Sequence, residues 1–72
     1  MAEILDCKGM KCPQPVLKTA IKANMLPQGT TLEVHADCHT FSQDIEKWCN
    51  DNSKVLISIV DKGGYQAATI QL

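Results

Sequence analysis

The chain is poor in aromatic residues, lacks any block of like charge and has no long apolar run. A single Phe, Trp and Tyr among 72 residues leave the interior to be built mainly from aliphatic side chains. Seven lysines and arginines stand against eight acidic residues, for a net charge of −1. With no basic cluster, that balance argues against a protein that lives on nucleic acid. No apolar stretch approaches the ~18–20 residues that a membrane span requires. The opening Met1-Ala2-Glu3-Ile4-Leu5-Asp6 has neither the basic start nor the apolar segment of a secretory signal. A cytoplasmic protein that is not membrane-embedded is therefore expected. No internal repeat, linker or low-complexity segment interrupts the chain.

What is present fits one small domain, expected to span residues 1–72. Hydrophobic content of 44% is too high for a disordered chain, yet a domain this short is marginal on its core alone. In a cytoplasmic setting the four cysteines are expected to be reduced, and such thiols usually serve catalysis or metal binding. In an oxidising compartment four cysteines could pair in three ways, and the sequence does not choose among them.

Ile4 to Cys7 reads as a short first strand. From Pro13 to Met25, Val16, Leu17, Ala20 and Ile21 recur at helical spacing, with Lys18 and Lys22 on a solvated face and Pro27 and Gly29 as the stop. Thr31 to Ala36 alternates, with Leu32, Val34 and Ala36 on one side, as a strand with one covered face does. Thr40 and Gln43 match a capping box, and Phe41, Ile45, Trp48 and Cys49 form an apolar helical stripe that ends near Asn50–Ser53. Val55 to Val60 is the most strand-like run. Asp61-Lys62-Gly63-Gly64 is turn chemistry, and Tyr65 to Leu72 alternates again. The expected fold class is α+β: a two-layer α/β sandwich in βαβαββ order, with a four-stranded mixed sheet and both helices on one face.

The run Gly9-Met10-Lys11-Cys12-Pro13-Gln14-Pro15 places a cysteine at a helix mouth. Pro13 suits the first helical position, where its missing N–H loses no bond, and Pro15 is still within the first turn. Cys12 is then expected at the N-cap, facing unpaired N–H groups and the positive end of the helix dipole. Such a site favours thiolate, the nucleophilic form. Lys11 adds a neighbouring cation. No general base is evident.

The same stretch, from Leu5-Asp6 through Gly9-Met10 to Cys12-Pro13-Gln14-Pro15, resembles the TusA/SirA family of small sulfur-transfer proteins. Gly29-Thr30-Thr31-Leu32-Glu33-Val34, Asp37, Asp44-Ile45 and Trp48-Cys49 extend the likeness along the whole chain. Asp37-Cys38-His39 departs from the Asp-Asp-Pro of many relay members and is more like the YedF-type branch; a YeeD-type branch occurs beside YeeE-type thiosulfate transporters. The resemblance implies that Cys12 accepts a sulfane sulfur as a persulfide and passes it on, with no cofactor beyond that transient group. It implies a protein donor (a cysteine desulfurase or a rhodanese) and a DsrE-like acceptor, serving tRNA thiolation, cofactor synthesis or sulfur oxidation. Turnover would then occur only within a relay. Gly9, Lys11, Pro13, Gln14 and Pro15 are the supporting residues.

Other readings stay open. The chain could be the soluble partner of a membrane thiosulfate transporter, or a non-catalytic regulatory or binding module on a sandwich like that of some RNA-binding domains. Cys7 could resolve the persulfide through a Cys7–Cys12 disulfide, or be a partly buried small hydrophobe. Cys38 could be a second reactive thiol or part of a local turn. Cys49 and Trp48 read as core, and His35 as solvated. Cys7-x4-Cys12 comes near zinc spacing, but the adjacent Cys38-His39 would not share one ion, so no metal is expected.

Overall fold

The computed structural model describes residues 2–72, so Met1 of the opening segment lies outside the described residues. The elements are β1 (Ala2–Asp6), α1 (Gln14–Met25), β2 (Thr31–Ala36), α2 (Phe41–Asp51), β3 (Val55–Asp61) and β4 (Gln66–Gln71). They form one four-stranded mixed sheet in the order β1-β2-β4-β3. β1 runs parallel to β2, whereas β4 is antiparallel to both of its neighbours. The expected βαβαββ order and mixed sheet are therefore present, and the strand order adds that β4 inserts between β2 and β3.

The core lies between one sheet face and the helices. Leu32, Val34 and Ala36 alternate inward from β2 and meet Ala68 and Ile70 of β4, Leu72 just after it, and Phe41, Ile45 and Cys49 of α2. Phe41 is fully buried, and a ring so placed contributes about 1.5–3 kcal/mol relative to exposure. In β3 only Leu56 and Ile59 turn inward, three positions apart, because a register shift between Leu56 and Ser58 interrupts the two-residue period. Val55, Ile57 and Val60 are left exposed at this edge strand.

Helix α1 departs from the sequence reading in two respects. Its first helical residue is Gln14, with Pro13 as N-cap, so Cys12 sits one position before the cap rather than on it. Its buried face also differs from the expected one: Pro15 and Thr19 are buried and Val16, Ala23 and Leu26 pack on the core. Leu17 and Ile21 are each 57% exposed. Apolar residues occupy two adjacent stripes of this helix, and spacing alone does not say which one meets the sheet. Thr19 is accommodated in the core because its hydroxyl donates to the Pro15 carbonyl at 2.8 Å.

Candidate functional site

Because β1 and β2 are parallel neighbours, their C-terminal ends lie side by side and deliver two loops to one end of the sheet. The loop after β1 carries Gly9 to Pro13, and the loop after β2 carries Asp37 to Thr40. The ladder continues briefly past β1, with the Cys7 N–H donating to the His35 carbonyl at 2.7 Å. Beyond it, the Gly9 N–H donates to both carboxylate oxygens of Asp37, at 3.0 and 3.1 Å. This bond ties the two loops together. Gly9 has φ +85, a left-handed conformation that glycine adopts without the strain a Cβ brings.

Cys12 and Cys38 meet across these loops. Their Cα atoms are 5.9 Å apart and their sulfurs are in direct contact, although 26 residues separate them in sequence. Both side chains are half-buried and line an open groove of about 530 Å³ with Gly9, Met10, Lys11, Asp37 and His39. A second groove of about 460 Å³ reaches Cys38 from the side of the β3–β4 turn, past Tyr65. Lys11 and Gln14 are exposed, and the Gln14 N–H closes the turn onto the Lys11 carbonyl at 2.8 Å. Pro13 is exposed at the cap, whereas Pro15 is buried.

Thr40 stands at the N-cap of α2 as expected, but its side chain makes no capping bond. Its Oγ1 lies 2.8 Å from Cys12 Sγ, 3.0 Å from Asp44 Oδ2 and 3.6 Å from Cys38 Sγ. A hydroxyl has one hydrogen, so at any moment it donates to the sulfur or to the carboxylate. The Thr40 hydroxyl thus stands between the Cys12 sulfur and the Asp44 carboxylate, and the two compete for its hydrogen. Thr40 and Asp44 are one helical turn apart, as a side-chain pair must be; their approach to Cys12 is a tertiary contact with no local signal.

The other cysteines are elsewhere. Cys7 and Cys49 are buried and unpaired. Burial holds both thiols above their ordinary ionisation range, and at Cys7 the nearby Asp6 charge adds to this while Lys18 opposes it. Cys7 thus lies in the core, and Cys38 is the thiol against Cys12. Among the described residues the groups that could hold a metal are Cys12, Cys38 and Asp44, whose ligand atoms all lie within 4.8 Å of one another. They supply three donors, one fewer than a closed tetrahedral zinc site takes. His35 is not simply solvated: it pairs with Glu33 and its ring lies 5.2 Å from that of Tyr65, over which Lys8 sits at 4.5 Å.

This geometry occurs in a chain of which nearly all, residues 3–72, matches the family model for Sulfurtransferase TusA. The chain belongs to the TusA family. YrkI of Bacillus subtilis, a relative named for a sulfur-carrier role, is 34% identical over 61 residues, covering 85% of this chain and 81% of its own length. A Neisseria meningitidis relative with a sulfur-carrier name is 30% identical over 70 residues, or 97% and 95% of the two chains. The crystal structure of a SirA-like protein from Desulfitobacterium hafniense superposes with a TM-score of 0.81 at 22% identity, covering 97% of this chain and 95% of that one. That likeness shows a shared fold. Membership in the TusA family supports a sulfur-carrier role. No helix among the described residues is long and apolar enough to cross a membrane.

Proposed function

We propose that this TusA-family chain carries sulfane sulfur as a persulfide on Cys12 and hands it from a donor protein to an acceptor protein. The observation that carries this reading is the placement of Cys12: half-exposed in an open groove, at the entrance of α1, in a loop fastened to the neighbouring strand end by Asp37. The N-terminal end of a helix favours an anion by about 0.3–1 kcal/mol, and both the thiolate and its persulfide are anions. In loading, the Cys12 thiolate attacks the outer sulfur of a donor persulfide. A new S–S bond forms at Cys12 as the donor's own S–S bond breaks, and the donor leaves as a thiolate. Unloading repeats the step with an acceptor thiolate attacking the outer sulfur, so no net oxidant is consumed.

A cysteine desulfurase or rhodanese suits the donor role, since each presents a sulfane sulfur on cysteine, and a DsrE-like protein suits the acceptor role. An RNA-binding role is disfavoured because none of the three aromatic residues lies on a strand, leaving the open sheet face without a stacking platform. Intact-mass spectrometry after incubation with a cysteine desulfurase and cysteine tests the reading. A reductant-sensitive gain of one sulfur, ~32 Da, is expected in the unaltered chain or in a Cys38 variant and must vanish in Cys12→Ser. Absence of loading in all of them would overturn it.

A further inference from the structure

We propose that Cys38 is the resolving thiol of the Cys12 persulfide. A loaded carrier with no acceptor engaged then discharges its outer sulfur as hydrosulfide and closes a Cys12–Cys38 disulfide. This inference rests on the carrier reading of Cys12 and adds to it a second outcome for the bound sulfur.

The geometry points to this step. A Cα separation of 5.9 Å falls within the range that a disulfide spans without backbone movement. Both cysteines line one groove of the same chain, so bond formation pays little of the entropy that an intermolecular thiol would lose. The Asp37–Gly9 bond holds the Cys12 loop against the loop that carries Cys38. Cys7 and Cys49, by contrast, are buried and paired with nothing.

Position also decides which sulfur is attacked. The Cα spacing suits a direct bond between Cys38 Sγ and Cys12 Sγ, and Cys12 Sγ is the atom that becomes the inner sulfur of the persulfide. An acceptor thiolate takes the outer sulfur. Cys38 instead attacks the inner one: the Cys12–Cys38 bond forms, the persulfide bond breaks, and its electron pair departs with the outer sulfur. The Cys38 thiol proton leaves on that sulfur as hydrosulfide, with the Thr40 hydroxyl within 3.6 Å of both cysteine sulfurs as a relay. The sulfane sulfur is reduced by two electrons and the two thiols are oxidised to the disulfide, so no further reagent enters this step. A dithiol reductant restores the carrier.

The test is a single loading, without oxygen, of the reduced full chain by a cysteine desulfurase with one equivalent of cysteine. Released sulfide and intact mass are followed over time in the unaltered chain, Cys38→Ser and Cys38→Ala. The unaltered chain should release about one sulfide per molecule, lose ~2 Da and yield a Cys12–Cys38 linked peptide on non-reducing digestion. Both Cys38 variants should keep the ~32 Da gain and release sulfide at least about tenfold more slowly until a dithiol is added. A persulfide in the unaltered chain as long-lived as in the variants would overturn the inference and leave the carrier reading standing. So would variants that discharge as fast as the unaltered chain, or a Cys7–Cys12 link. Failure of the unaltered chain and both Cys38 variants alike to take up or release any sulfur would remove the carrier reading, and this inference with it; variants that fail to load while the unaltered chain loads would overturn this inference alone.

Discussion

The Thr40 hydroxyl lies 2.8 Å from the Cys12 sulfur, joining two residues that stand 28 positions apart in the chain. The same hydroxyl reaches the Asp44 carboxylate, and the sulfur and the carboxylate compete for its single hydrogen. Donation to the sulfur favours thiolate. Donation to Asp44 leaves the sulfur as a thiol, and the carboxylate charge beside it works in the same direction.

In reduced protein at neutral pH, Thr40→Val is therefore expected to slow alkylation of Cys12 by iodoacetamide by about three- to tenfold, the loss of one hydrogen bond worth ~1 kcal/mol. Asp44→Asn should accelerate it, because the competing acceptor's charge is gone. Thr40→Ser should react as the unaltered chain does. Equal rates in all four proteins would show that the hydroxyl does not govern the thiol. Fold stability should change little in Thr40→Val, since this residue makes no side-chain capping bond.

Leu17→Ala and Ile21→Ala should each shift unfolding by less than about 0.5–1 kcal/mol, as surface substitutions do. Ile45→Ala, which empties a fully buried position of α2, should cost about 2–5 kcal/mol. Urea unfolding of the three variants checks the burial of each helix. A large loss at Leu17 or Ile21 would mean that α1 presents the other stripe to the sheet.

Alkaline pH should destabilise the fold. Burial raises the thiol ionisation of Cys7 and Cys49 in the native state, so the unfolded chain gives up these protons first. The stabilisation is fully present below the ordinary thiol range, near about pH 8.5, and is lost as pH rises through the elevated native values. Thermal melts under reducing conditions between about pH 7 and 10 should show a falling Tm. The double variant Cys7→Ala, Cys49→Ala should show a shallower fall.

Much of this arrangement is legible in the sequence alone. The alternation of Leu32, Val34 and Ala36 marked β2 to the residue, and Thr40 marked the start of α2, because both patterns are local. Cys-Pro-x-Pro marked Cys12 for the same reason. The inward stripe of α1 was not legible, since Val16 and Leu17 are equally apolar and only contact with the sheet separates them. Nor was the apposition of Cys12 with Cys38, Thr40 and Asp44. It arises from the parallel pairing of β1 with β2, and residues far apart in sequence leave no periodic trace of meeting.

The position of β4 has a consequence for how the molecule comes into being. β3 touches the rest of the sheet only through β4, and β4 follows every other described strand in the chain. During synthesis, β2 therefore emerges with one edge unpaired and its inward side chains only partly covered. The sheet can close only after the last hairpin has left the ribosome. Such late, long-range pairing belongs to the slower class of small-domain folding. The loops bearing Cys12 and Cys38 leave the paired ends of β1 and β2 and are tied by the Asp37–Gly9 bond, so the two thiols can find each other before the sheet itself is complete.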